Sequence, residues 1–397
     1  MTESSIEAIE LPITKPAGCP FDPPAGLAEI RERAALTRMT FPDGHHGWLA
    51  TGHEPARAVM GDPRFSVRYE LLHDPLHDVD MSQVRAPVGD FGGIDAPEHT
   101  RLRRHLTSKF TVRRMRMLTE RVEAICAEYL DAMEKHGGPI DLVAAYATPV
   151  PALTICELLG VPYADHEFFQ REAATMLEPD SFEEIDAAWH RLDAYIRELV
   201  VAKRAAPTDD VLSELTTTEL SDDELGGIGT FLLAAGLETT RNMIALGIFA
   251  LLQHPDQLAA LREDPDLTDN TVEELLRYLT IAHTSARAAL EDVELGGQLI
   301  KAGETVAVSM NAANRDPRRF DDPDTLDVRR RATGHMAFGF GVHQCLGQQL
   351  ARVELRVAIP ALLNRFPTLT LAVPAEEVPL RPSNIYGVQR LPVAWDQ

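Results

Sequence analysis

The sequence predicts a mainly α fold with small β-sheets, an α+β arrangement in a single unit over 1–397. Three observations lead there. Apolar residues recur at helical spacing through most of the middle of the chain, and strict alternation replaces that spacing only late, in Arg287–Ser309. No Gly/Ser linker, low-complexity tract or fixed-period repeat divides the 397 residues. A hydrophobic content of 45% is enough to fill one large core.

Taken in order, Gly47–Thr51 reads as a short strand, and a helix from Glu54 to about Met60 stops at Gly61-Asp62-Pro63. Ser66–Ala96 is a long irregular stretch. Loops of that length are usually functional or mobile, and its Tyr69, Leu71, Leu72, Met81, Val84, Val88 and Phe91 suit a pocket wall as well as they suit a cover over the core. Helical periodicity then runs through about Glu98–Phe110, Arg113–Lys135, Val143–Leu159, Ala164–Met176, Phe182–Ala205 and Asp222–Gln253. The last of these opens on Ser221-Asp222-Asp223-Glu224, a capping box, and reaches about 45 Å at 1.5 Å per residue, enough to cross the whole unit. Gly296-Gly297, between Val293-Glu294-Leu295 and Gln298-Leu299-Ile300, reads as a hairpin turn. A helix from Gly347 to Arg365 and short strands up to Trp395 end the chain.

The charge balance is 38 basic against 61 acidic residues, a net −23, which argues against nucleic acid or an anionic membrane as a general partner. Against that background Arg101, Arg103, Arg104, Lys109, Arg113, Arg114 and Arg116 form a local basic run. Cys19, Cys126, Cys156 and Cys345 lie far apart without CxxC spacing, so neither a disulfide framework nor a zinc site is expected, and the compartment reads as reducing. No segment reaches the ~18 apolar residues of a membrane span. A cytoplasmic, unanchored protein is expected.

The segment richest in chemistry is Phe338-Gly339-Phe340-Gly341-Val342-His343-Gln344-Cys345-Leu346-Gly347, which runs straight into an apolar-periodic helix. Gly339 and Gly341 open backbone conformations closed to other residues, so amide groups can turn toward the Cys345 sulfur, and a helix N-terminus favours a thiolate. A packing cysteine needs none of this. Inside the long helix, Ala235-Gly236-Leu237-Glu238-Thr239-Thr240 sets small residues beside a carboxylate and a hydroxyl where an apolar core prefers neither. Such groups suggest proton handling; the plain alternative is that Thr239 bonds back to the carbonyl four residues earlier and Glu238 points to solvent. In Glu274-Leu275-Leu276-Arg277 an acid and a base three apart share a helical face. Exposed, such a pair is worth little.

Together these segments resemble the cytochrome P450 superfamily. The haem-binding loop of that superfamily, Phe-Gly-x-Gly-x-His-x-Cys-x-Gly, is matched at every fixed position, and the Ala/Gly-Gly-x-Asp/Glu-Thr-Thr/Ser helix and the Glu-x-x-Arg pair follow in the expected order. The resemblance spans almost the whole chain and implies a single-domain cytochrome P450 fold with a long central helix over haem b, iron protoporphyrin IX. By the same resemblance Cys345 is the axial iron ligand and His99, Arg103, Arg287 and His343 meet the propionates. Thr239 and Glu238 hold dioxygen and relay protons, and Glu274 with Arg277 forms a structural ion pair.

The resemblance further implies a soluble bacterial, actinomycete-like monooxygenase. It hydroxylates or epoxidises a hydrophobic small molecule: a macrolide or other polyketide, a terpenoid, or a steroid- or vitamin-D-like compound. Leu232, Ala235, Ile281 and Ile385 are expected at its pocket, with further residues from 168–202 and the tip Asn384–Tyr386. Gly339–Gln344 fails the dinucleotide fingerprint Gly-x-Gly-x-x-Gly at its last position, so electrons come from outside. The expected donor is a ferredoxin, with its NAD(P)H-ferredoxin reductase, docking near Arg104, Lys109, Arg113, Arg114 and Arg116 on the face bordered by Arg352 and Arg356. Two alternatives are a hydrogen-peroxide-using haem-thiolate peroxygenase and a non-catalytic haem sensor or carrier. Peroxide-using members of the family replace the acid–threonine pair that this chain keeps, and a sensor needs no proton relay.

Overall fold

A computed structural model describes residues 8–14, 19–177, 182–381 and 385–396, with the backbone alone at Met176, Leu177 and Phe182. Its helices are α1 (Leu27–Arg33), α2 (His53–Gly61), α3 (Glu98–Thr107), α4 (Val112–His136), α5 (Pro149–Leu159), α6 (His166–Leu177) and α7 (Phe182–Ala205). There follow α8 (Val211–Leu215), α9 (Asp222–Gln253), α10 (Pro255–Glu263), α11 (Thr268–Leu279), α12 (Met310–Ala313) and α13 (Gln348–Arg365). The strands are β1 (Leu36–Thr40), β2 (His46–Ala50), β3 (Phe65–Ser66), β4 (Ile140–Asp141), β5 (Thr284–Ala289), β6 (Val293–Leu295), β7 (Gln298–Ile300), β8 (Thr305–Ser309), β9 (Thr370–Leu371) and β10 (Pro392–Ala394).

Helix α9 is the axis of the molecule. The Ser221 hydroxyl accepts from the Glu224 amide at 3.2 Å while the Glu224 carboxylate accepts from the Ser221 amide at 2.8 Å, so the expected capping box forms. Beyond its first turn the helix is apolar almost all round, and a helix of that composition must be covered on every side. Helices α5, α7, α10, α11 and α13 pack against it. No single helix among the described residues is long and apolar enough to cross a membrane.

The larger sheet runs β1-β2-β8-β5-β3, with β2 and β8 parallel in the register Trp48↔Val306 and the other pairs antiparallel. A second sheet, β4-β10-β9, ties residues 140–141 to the chain's last strand. Strands β6 and β7 form the expected hairpin, with Gly296 and Gly297 at φ 58° and 75° supplying the left-handed turn.

Several boundaries differ from the sequence expectation. Strand β1 is unexpected, because Arg38 in its middle breaks the apolar signal; that guanidinium pairs with Glu304 at 2.8 Å and lies 4.5 Å over the Trp48 ring. The helix expected from Glu98 to Phe110 ends at Thr107, and Thr111 caps the next by accepting from the Arg114 amide at 3.2 Å. Val143–Leu159 starts as a π-helical turn over Val143–Ala147 and restarts at Pro149, whose missing N–H suits the first position of a helix. Helix α10, which follows Pro255, adds an element that periodicity alone does not separate from its neighbours.

Candidate active site

Between α9 and the loop before α13 lies a cavity of about 490 Å³. Its floor is the cysteine loop. The Cys345 amide donates to the Phe338 carbonyl at 2.9 Å, closing the loop on itself, and the Met336 amide is anchored to the Asn314 side chain at 2.7 Å. Gly339 and Gly341 sit at φ 69° and 80°. A Cβ on Gly341 would lie 2.6 Å from the Met60 carbonyl oxygen, so α2 presses directly on the loop and only glycine fits.

Cys345 turns its exposed surface to this cavity. Burial of the sulfur pushes the thiol up, against the backbone amides of Gly347 and Gln348 and the guanidinium groups of Arg103 and Arg352. The amides that face the sulfur thus come from the start of α13, after the cysteine, while the two glycines before it serve close packing.

Across the cavity α9 presents one stripe at intervals of four: Phe231 and Leu232, Ala235 and Gly236, Thr239 and Thr240, then Met243. Ala235 is exposed to the cavity, but Gly236 has a second duty, since a Cβ there would stand 2.5 Å from Ile155 of α5. The Thr239 hydroxyl donates to the Ala235 carbonyl at 2.7 Å, the local bond of the plain alternative, yet the residue also lines the cavity. Glu238 is not free in solvent: Arg381 holds it at 3.1 Å. One residue escaped sequence reasoning. Glu354 of α13 reaches the same wall, fully buried, within 3.4 Å of the Thr240 hydroxyl. Burial pushes its carboxyl up to about 8 against the opposing effect of the Thr154 and Thr240 hydroxyls, which favours the protonated form at neutral pH, and among the described residues its Oε1 has no hydrogen-bond partner. Its acidity in an apolar stretch, Val353 to Leu355, was the available signal.

At one edge of the floor four cationic or potentially cationic side chains converge. The His99 and His343 rings lie 4.0 Å apart, with Arg103 and Arg287 close enough to act on His343 electrostatically. Burial first, and then His99, Arg287 and Arg103, press His343 down to about 3; burial likewise lowers Arg287 to about 10 and lowers Arg103 and His99. Among the described residues neither arginine makes an ion pair with a carboxylate, and the buried His99 Nε2 has no hydrogen-bond partner. Asp95 is the carboxylate that acts on His99 and Arg287, and positive charge outweighs negative in this cluster, so the two carboxylates of a haem beside a sulfur ligand fit it.

Glu274 and Arg277 are fully buried, in contrast with the exposed pair that such spacing usually gives. Their fork closes at 2.8 Å twice, and Arg277 also donates to the carbonyls of Asn314 at 2.9 Å and Pro323 at 2.7 Å. The pair therefore fixes the segment that anchors Met336.

The basic run is largely neutralised within the molecule, because the acids that meet it lie about a hundred residues further along the chain. Arg104 pairs with Glu219 at 3.8 Å, Lys109 with Glu214 at 3.4 Å, and Arg113 with Asp209 at 2.9 Å. Arg114 is buried against Glu214 and Asp209, which leaves Arg116 exposed with no ion pair among the described residues. Arg352 and Arg356 are paired with Glu273 and Asp269. Leu232, Ala235 and Ile281 line the cavity, whereas Ile385 is bridged to Ala282, which does line it, and packs against the main core. Asn384 lies outside the described residues. No described residue of 168–202 reaches the wall; Phe110, Ile155 and Leu158 do instead.

A long axial helix, a cysteine on the cavity floor and a convergent cationic cluster at its edge form a site that a sulfur-ligated haem would fit. The family model described as Cytochrome P450 matches residues 168–385. Cytochrome P450 105C1 of a Streptomyces species is 51% identical over 380 residues, covering 94% of this chain and 96% of that one. The Vitamin D3 dihydroxylase of Streptomyces griseolus is 44% identical over 385 residues, 95% of this chain and 94% of the other. The crystal structure of CYP105P1 in complex with filipin I superposes with a TM-score of 0.90 at 44% identity, over 98% of this chain and 99% of that one. The chain belongs to the cytochrome P450 family: it is a monooxygenase that binds haem b.

Proposed function

We propose that residues 1–397 form one catalytic unit in which Cys345 is the axial ligand of the haem and an apolar small molecule is hydroxylated or epoxidised above it. The observation that carries this reading is that the Cys345 sulfur and the Thr239 hydroxyl line the same cavity. Bound there, haem supplies the reductive activation of dioxygen, one atom going to substrate and the other to water. His99, Arg103, Arg287 and His343 meet its propionates. Val67, Leu72, Phe91, Phe231 and Ile281 give the rest of the wall an apolar character that excludes water and admits a hydrophobic substrate.

Proton delivery falls to the other wall. Thr239 has a hydroxyl that can leave the Ala235 carbonyl for a partner in the cavity, and Glu238, at the helix surface, connects that point to solvent. Glu354 holds a proton on the opposite flank of the Thr239-Thr240 step. One relative is named Vitamin D3 dihydroxylase, and another, CYP105P1, is seen in complex with filipin I. A steroid- or vitamin-D-like compound, a macrolide or a terpenoid is the substrate class that suits this wall. Electrons come from a ferredoxin, whose acidic surface is drawn to Arg116 and to whatever field Arg104, Lys109, Arg113 and Arg114 retain beside their own acids.

The test is spectroscopic. Reduced protein under carbon monoxide should show the strongly red-shifted Soret band peculiar to thiolate ligation, and Cys345→Ala should lose it. Retention of the band in the alanine variant would mean that another residue is the ligand. Turnover should require dioxygen and reduced ferredoxin together, and efficient turnover on hydrogen peroxide alone would favour the peroxygenase instead.

A further inference from the structure

Helix α11 carries two consecutive carboxylates, and successive side chains on a helix diverge by about 100°. Glu274 therefore turns inward to Arg277, and Glu273 turns toward α13. There it takes a two-pronged bond from Arg352, Nε at 2.6 Å and Nη2 at 3.0 Å, and a third bond from His335 Nε2 at 3.1 Å. The other His335 nitrogen accepts from the Ala337 amide at 3.2 Å, so the ring presents its N–H to Glu273. Arg352 in turn donates to the Gln348 carbonyl and side chain at 3.2 and 3.0 Å, and its guanidinium lies 4.6 Å over the Phe338 ring. All three partners are mostly shielded, with side-chain exposures of 22% for Glu273, 15% for Arg352 and 2% for His335.

Each contact of this cluster leads to the cysteine loop. His335 and Phe338 lie before Cys345, and Gln348 supplies one of the amides that face its sulfur. Arg352 is near enough to act on the sulfur electrostatically. Burial alone would raise the Glu273 carboxyl, but the bonds from His335 and Arg352 outweigh it and hold the group at about 2, so it is ionised at any working pH. Arginine is charged throughout as well. A fixed positive charge near the sulfur is thus matched by a fixed negative charge just beyond it.

From this arrangement we infer that Glu273 is a positioning residue that sets the reduction potential of the Cys345-ligated haem by neutralising Arg352 and holding it over the loop. The inference rests on the reading of Cys345 as ligand. Reduction adds negative charge at the haem, so an unbalanced cation nearby favours the reduced state and an unbalanced anion opposes it. Second-shell partners of this kind orient and tune the ligand without touching the iron.

Redox titration of holoenzyme separates this role from mere bracing. Glu273→Gln, which keeps the shape of the side chain, should shift the ferric/ferrous midpoint upward. Arg352→Gln should shift it downward, the double variant should fall between them, and Arg352→Lys should stay near the parent. Shifts of the same sign in both single variants, or none, would overturn the inference, because a loosened loop has no reason to respond to the sign of the deleted charge. The ferrous–carbon monoxide spectrum of each variant keeps the two readings apart. A missing thiolate band in the parent counts against Cys345 as ligand, whereas a normal band with unmoved potentials counts against Glu273 alone.

Discussion

The wall that carries Cys345 and the wall that faces it from α9 satisfy their polar groups over different distances along the chain. On the sulfur side a buried local pair is tied down by buried long-range bonds: Glu274, paired with Arg277 in its own helix, also accepts from the Asp327 amide at 3.0 Å, Arg277 donates to the Asn314 carbonyl, and Asn314 holds Met336. On the facing side Glu238 and Thr240 also reach distant partners, Arg381 and Glu354, but other bonds lie within one helix or one loop. Thr239 bonds within its own helix, the Tyr69 hydroxyl donates to Asp90 in its own loop at 2.9 Å, and Val79, Val84 and Val88 of that loop are exposed. Groups bonded over long range move only if several elements move together, while a local bond can be exchanged at small cost. The contrast suits a ligand that must stay in one place beneath a substrate and protons that must come and go.

The largest effect expected from breaking this contrast is on the sulfur side. Glu274→Gln leaves the fully buried Arg277 charge without its carboxylate, and loss of one partner from such a pair costs about 3–5 kcal/mol. Chemical denaturation of the holoenzyme should show that loss together with reduced haem retention; a change under about 1 kcal/mol would mean that the loop is held by other contacts. Thr239→Ala tests the facing wall. Deleting a single local hydrogen bond should cost only about 0.5–1.5 kcal/mol, yet reducing equivalents should be diverted to peroxide. If product still accounts for all of the reductant consumed, Thr239 is a helix residue and no more.

Glu354 joins the two walls, and its effect should depend on pH. Folded, it keeps its proton from the ordinary 4.5 up to about 8, whereas the unfolded chain loses it at the lower value. Folding therefore takes up a proton in that window, and the stability this group contributes is full below it and falls as the pH rises through it. Glu354→Gln should flatten the slope, matching the parent at the acid end and exceeding it at the alkaline end. Parallel stability curves for the two proteins would show that the carboxyl is not held neutral. The smallest effect belongs to the exterior: Arg116→Glu should slow reduction by ferredoxin at low salt and leave reduction by dithionite unchanged. Equal rates with ferredoxin would put the docking face elsewhere.

What the sequence determined by itself was whatever depends on neighbours close along the chain. The span of α9 follows from a capping box and helical periodicity, the β6–β7 hairpin from two glycines, and the cysteine loop from a motif whose spacing is its geometry. The tertiary structure decided which distant groups meet. Only folding brings Glu214 and Asp209 onto the basic run, sets Ile155 against Gly236, joins Glu273 to Arg352 and turns Glu354 toward Thr240. The reason is that a charge or a small residue reads alike in sequence whether it faces water or a partner a hundred positions away, and the cost of burying it is set by that partner alone.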